Sequence, residues 1–137
     1  MNHTTSEVLD LAADDIQANG WAQGPQGMAV DGPHCILGAI GSVLEVTAYA
    51  TNLPFASDMN HVGFAYDMHE VGKTEAGMAM IDYLPEPDWS TEGLPGYSLV
   101  YRWNDRGTRT AEDVIAALRA AAAVERVKES AEQTVAA

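Results

Sequence analysis

Apolar positions recur at helical spacing in three stretches of the chain, and each stretch carries its own start and stop signals. Val8, Leu11, Ala12 and Ile16 define the first. Thr4 or Ser6 can cap it, with Glu7 three residues after Thr4 as in a capping box, and Asn19-Gly20 supplies the stop. The second begins at Asp31-Gly32-Pro33, with Asp31 or Gly32 as cap and Pro33 in the first turn. From Cys35 to Tyr49 it is apolar or small apart from Ser42, Glu45 and Thr47, the pattern of a helix buried all round, and Asn52 and Pro54 end it. Gly38 and Ser42 leave a flat strip for close approach, so this helix is expected to be central and to pack against both the first and the last. The third has Thr110 as cap, Asp113 three residues on, and a stripe of Val114, Ala117, Leu118 and Ala121. The stripe fades after Lys128, so residues 129–137 are expected to be a frayed or disordered tail.

The intervening chain is less regular. Trp21 to Val30 reads as loop, and Leu53 to Lys73 has no sustained period. Thr74 to Leu84 looks like a short helix presenting Met78, Ile81 and Tyr83, stopped by Pro85-Glu86-Pro87. Residues 85–96, with three prolines and two glycines around Trp89, form a long loop. Tyr97 to Trp103 alternates as a short strand or extended segment would. The expected fold is mainly α: one helical domain over residues 1–128, a bundle of three to four helices with a long Pro/Gly loop and room for one short strand pair.

Composition sharpens this picture. Hydrophobic residues make up 47% of 137 and aromatics only 7%, with Ala filling many apolar positions, which points to a helical core of small side chains rather than a β-sandwich. One cysteine excludes an internal disulfide and a Cys-based zinc finger, and it fits a reducing compartment. No apolar run approaches the roughly 18 residues that span a bilayer, and the N-terminus lacks the basic and apolar regions of a signal peptide, so a cytoplasmic location is expected. A net charge of -13 disfavours direct nucleic-acid or anionic-membrane binding, leaving proteins or small molecules as partners. Residues 1–72 carry nine acids and no Lys or Arg. Acids such as Asp14 and Asp15 are therefore expected to meet Arg102, Arg106, Arg109 or Arg119 from the second half.

Few residues suggest catalysis. Cys35, in the first turn of the second helix, sits where a helix dipole can activate a thiol, with His61 or His69 as a base. Followed by Ile36 and Leu37, it reads more naturally as a small core residue. Asp58, His61, Asp67, His69 and Glu70 fit no known metal spacing and read as a solvated polar stretch, so neither a metal nor a cofactor is expected. Three arginines fall in eight residues around Trp103-Asn104-Asp105. These residues can build a turn, or with Arg106 and Arg109 they can form a polar surface for a ligand or partner.

The run Gly32-x-His34-Cys35-Ile36-Leu37-Gly38-Ala39-Ile40, combined with Trp103-Asn104-Asp105-x-x-x-x-Thr110-x-x-x-Val114, resembles a family of small uncharacterised proteins of actinobacteria and their bacteriophages. The similarity covers roughly residues 6–45 and 99–123. It implies a small cytoplasmic helical protein and supplies no catalytic residue. The expected function is a non-enzymatic accessory or regulatory protein, plausibly phage-encoded, that binds a basic host protein through an acidic surface with Trp89 as apolar anchor. The alternatives are a small cysteine hydrolase or transferase using Cys35, and an acidic mimic of nucleic acid.

Overall fold

A computed structural model describes residues 3–45, 49–52, 62–85, 90 and 92–136. Six helices and one strand pair make up the described chain: α1 Thr5–Asn19, α2 Ile36–Leu44, β1 Tyr49–Asn52, β2 Val62–Ala65, α3 Met68–Gly72, α4 Glu75–Tyr83, α5 Tyr97–Asn104 and α6 Ala111–Ala136, with a 3-10 turn at Pro25–Met28. The mainly helical class holds, but the expected three to four helices are too few.

The two outer helices form where the sequence puts them. Thr4 Oγ1 accepts from the Glu7 amide and Glu7 Oε1 from the Thr4 amide, both at 3.3 Å, closing the expected capping box on α1. Gly20 ends the helix at φ 100°, in the region that favours glycine. Val8, Leu9, Ala12, Ala13 and Ile16 are buried, whereas Leu11, expected inside, is 37% exposed. At the start of α6 the Thr110 amide donates to Asp113 Oδ2 at 3.0 Å and the Asp113 amide to Thr110 Oγ1 at 3.1 Å. Val114, Ala117, Leu118 and Ala121 are buried as expected. The helix does not stop at Lys128: it continues to Ala136, and Glu129 accepts from the Ser6 amide at 3.1 Å and its hydroxyl at 2.6 Å. That contact, invisible in the local pattern, supports the segment expected to fray.

α1 and α6 form the main helix pair and run antiparallel. Arg119 reaches Asp10 at 3.3 Å and Asp14 at 2.6 Å, and Arg126 also pairs with Asp10. First-half acids do meet second-half arginines: Arg119, one of the expected partners, and Arg126, which was not among them. Hydrogen bonding from Asp14 raises the Arg119 guanidinium above its ordinary value.

α2 is shorter than expected. Cys35 is its cap rather than part of its first turn, and Glu45 ends it in the left-handed conformation at φ 52°. Ile36 to Gly41 are buried and Leu44 is exposed; the helix packs on α1, the 3-10 turn, α3 and α5, while α6 packs mainly on α1 and α4. α2 is thus central without using the last helix as a main partner. The close approach at Gly38 is to the 3-10 turn: a Cβ there would lie 1.9 Å from the Gly27 carbonyl oxygen.

The segment read as extended, Tyr97–Trp103, is α5. Its buried positions Ser98, Val100 and Asn104 suit a helix, and a window this short satisfies both periods. The strand pair joins Tyr49–Asn52, where the second helix was expected to end, to Val62–Ala65 in the stretch without period, with Tyr49 opposite Ala65 and Asn52 opposite Val62 in an antiparallel ladder. The expected short helix after Thr74 is α4, which Thr74 caps by accepting from the Gly77 amide at 3.0 Å.

Replacing Gly38 with Ala should destabilise the fold by about 1–3 kcal/mol, although Ala is the better helix former by about 1 kcal/mol. Urea denaturation measures it. A neutral or stabilising result would remove the packing of the 3-10 turn on α2.

Candidate functional site

The buried polar network centred on Asn104 is the most organised chemistry in the molecule. Asn104 is the last residue of α5 and is 0% exposed. Its Oδ1 accepts from the Trp21 indole N–H at 2.9 Å and from the Ile36 amide at 3.2 Å. Its Nδ2 donates to the Ala22 carbonyl at 3.1 Å and to Asp105 Oδ1 at 3.0 Å. An amide side chain offers two acceptor and two donor positions, and all four are used. Around it, Gln23 Nε2 donates to the carbonyls of Asn104 at 3.2 Å and Arg106 at 2.7 Å, and the Gly24 amide donates to Asp105 Oδ1 at 2.9 Å. The loop after α1, the start of α2 and the end of α5 are joined here.

Asn104 and Asp105 therefore build a turn and an inter-segment clamp. Arg109 donates from Nε to the Trp103 carbonyl at 3.0 Å, and its guanidinium lies 3.6 Å from the centroid of the Trp103 ring. Burial lowers the Arg109 guanidinium from its ordinary value. Arg106 is exposed. Trp89 and His61 lie outside the described residues.

His34 was not singled out by its sequence context, yet it is a second clamp. It is 4% exposed, with Nδ1 at 2.8 Å from Asp15 Oδ2 and Nε2 at 2.9 Å from the Ala29 carbonyl and 3.2 Å from that of Val30. Asp15, placed unfavourably at the negative end of α1, finds its partner in this ring. The acid-only first half hid the pairing, because the compensating group is a histidine.

Cys35 is 2% exposed. Its Sγ accepts from the Gly38 amide at 3.4 Å and donates toward Met28 Sδ at 3.5 Å. Among the described residues no histidine nitrogen is hydrogen-bonded to it, His34 being directed to Asp15 and the loop carbonyls. Burial pushes the thiol up to about 11; the Gly38 amide opposes this and the Asp105 carboxylate adds to it. A nucleophilic thiol needs the opposite shift. His69 is exposed, with its ring edge-on to Tyr97 at 5.9 Å. Of the polar stretch, Asp67 caps α3 by accepting from the amides of His69 at 2.9 Å and Glu70 at 3.3 Å, and Lys73 pairs with Glu70. Among the described residues no group of three or more His, Cys, Asp or Glu could hold a metal ion, and no helix is long and apolar enough to cross a membrane.

Two clefts remain. One, of about 440 Å³, lies between the start of α1, α4 and the second half of α6. Glu75, Asp82, Glu125, Glu129 and Glu132 line it against one base, Lys128, which pairs with Glu125 at 3.1 Å. The other, of about 320 Å³, lies among the 3-10 turn, α3 and α5 and is lined by Gly24, Pro25, Cys35, Met68, Tyr97, Tyr101 and Asp105.

What these features define is a small helical domain whose buried polar residues hold loops together. The chain belongs to a family of unknown function (DUF6197), whose family model matches residues 1–124. No curated protein and no solved structure matches it.

The raised Cys35 value carries a pH signature. The folded state keeps the thiol protonated up to about 11, while the unfolded chain begins to release that proton near its ordinary value of 9.0. The thiol's contribution is therefore fully present below pH 9 and is lost as pH rises toward 11. Between pH 8 and roughly pH 10.5 the native protein should lose about 2 kcal/mol more stability than Cys35→Ala, as followed by urea denaturation. Parallel pH curves for the two would contradict the buried, protonated thiol.

Proposed function

We propose that this is a non-enzymatic accessory or regulatory protein, encoded by an actinobacterium or one of its phages and acting in the cytoplasm, that binds a basic host protein through an acidic surface. The observation that carries the reading is the cleft between α1, α4 and α6, with five carboxylates against one lysine. Arg119 and Arg126, the bases of α6 that could offset it, are held by Asp10 and Asp14. Uncompensated negative charge in a concave surface focuses the field and speeds capture of a basic partner. Glu75 and Glu129 also serve the fold, accepting from Thr5 and Ser6. Asp82 and Glu132 are the carboxylates for which a recognition role is proposed. Trp89, in the Pro/Gly loop, is the proposed apolar anchor. The hydrolase alternative is disfavoured by a buried thiol pushed up to about 11.

The partner recovered from host lysate should associate at least about tenfold more slowly at roughly 500 mM than at 50 mM salt. The double substitution Asp82→Asn, Glu132→Gln should slow it in the same direction while leaving thermal stability close to native. Association indifferent to both salt and these substitutions, or Cys35-dependent turnover of a peptide or small molecule, would overturn the reading. Competition by duplex DNA for the same partner would narrow it to mimicry of nucleic acid.

A further inference from the structure

We propose that the cleft among the 3-10 turn, α3 and α5 is a binding site for an organic cation, the ammonium or guanidinium group of an amine or of a basic side chain. It shares no lining residue with the acidic cleft and does not depend on the function proposed above.

Its walls and floor differ in kind. Pro25, Met68, Tyr97 and Tyr101 provide apolar and polarisable surface, with the two tyrosine rings 6.1 Å apart between centroids and inclined by 37°. Aromatic rings of this sort attract cations through their negative faces, and Tyr101 already lies 6.0 Å from the Arg102 guanidinium. Among the described residues Asp105 is the one charged residue in the lining. Among the described residues the two hydrogen bonds to its carboxylate, from the Gly24 amide at 2.9 Å and from Asn104 Nδ2 at 3.0 Å, end on Oδ1. They fix the carboxylate's orientation and leave Oδ2 as the acceptor for a ligand. Asp105 is half-buried, so a charge or a donor placed on Oδ2 is partly shielded from water.

The same features argue against other ligand classes. An anion meets the Asp105 charge with no base in the lining to offset it. A neutral apolar molecule fills the cleft but leaves a half-buried carboxylate without a counter-charge. A metal ion finds one carboxylate and a thiol that burial keeps protonated, which is too few oxygen ligands for a hard cation and no thiolate for a soft one. An ammonium or guanidinium on an apolar stem satisfies both halves of the site, donating to Oδ2 while its stem and charge lie against the tyrosines. A volume of about 320 Å³ suits a single side chain or a small arylalkylamine.

The test is a titration of the ¹⁵N-labelled full chain, followed by amide shifts. The probes are phenethylammonium and ethylguanidinium, with 2-phenylethanol and ethylurea as their neutral counterparts, and a blocked Gly-Arg-Gly tripeptide. Saturable shifts should appear at Gly24, Cys35, Tyr97, Tyr101 and Asp105, with the cations binding at least about tenfold more tightly than the neutral molecules. Asp105→Asn keeps an oxygen for the Gly24 amide and removes the charge, so it should bring cation affinity down to that of the neutral probe. Should that variant not fold, Tyr101→Leu carries the test and should weaken cation binding several-fold. A tripeptide that binds more tightly than ethylguanidinium points to a protein side chain as the occupant, and equal affinity to a free cation. Equal binding of charged and neutral probes, shifts confined to other parts of the molecule, or unchanged affinity in the folded variants would overturn the proposal.

Discussion

The buried side-chain amide of Asn104 is the constraint on which the arrangement of the chain depends. A polar group taken out of water without partners costs roughly 1–3 kcal/mol, so burying a whole primary amide is tolerable only if every donor and acceptor is met. Here they are met by groups from three places far apart in sequence: the Trp21 indole and Ala22 carbonyl after α1, the Ile36 amide at the head of α2, and Asp105 at the turn before α6. The Ile36 amide is one of the donors a helix start leaves unpaired, so Asn104 also acts as a long-range cap for α2. One residue thus fixes the entry of the central helix, the path of the preceding loop and the exit of α5.

His34 and Cys35 extend the same logic along the loop that leads into α2. The ring of His34 anchors that loop to Asp15 and to the carbonyls of Ala29 and Val30, while the buried Cys35 caps the helix by accepting from the Gly38 amide. Both motifs that characterise this sequence, Gly32 to Ile40 and Trp103 to Val114, therefore meet at one structural junction. Their chemistry is directed inward. The recognition roles proposed above use the carboxylates of α4 and α6 and the α5 tyrosines that line one cleft with Asp105.

Much of the fold was legible where local signals decide the outcome. The caps at Thr4 and Thr110 and the stripes Val8 to Ile16 and Val114 to Ala121 depend on residues within a turn or two of each other, and those were readable. What was not readable depends on contacts across the chain. α5 passed for a strand because eight residues fit either period, and the fact that decides it, burial of Asn104 against Trp21 and Ile36, is tertiary. The end of α6 looked frayed because Ser6 lies more than a hundred residues away in sequence. The candidate site was legible only in its residue types. Trp103, Asn104, Asp105 and Arg109 stood out as a group, but whether such a group faces a ligand or its own loop depends on which backbone groups reach it. His34 escaped notice because its partner, Asp15, lies on another element.

The central claim is that Asn104 makes the loop after α1 and the head of α2 part of the cooperative core. Native-state hydrogen exchange at the Trp21 indole N–H and the Ile36 amide tests it most directly, because both donate to Asn104 Oδ1. These two protons should exchange only through global unfolding, with the same free energy and urea dependence as the amides of Ile40 and Leu118 in the core. Exchange of either proton through a local opening several kcal/mol below the global value, with the core amides still protected, would contradict the account.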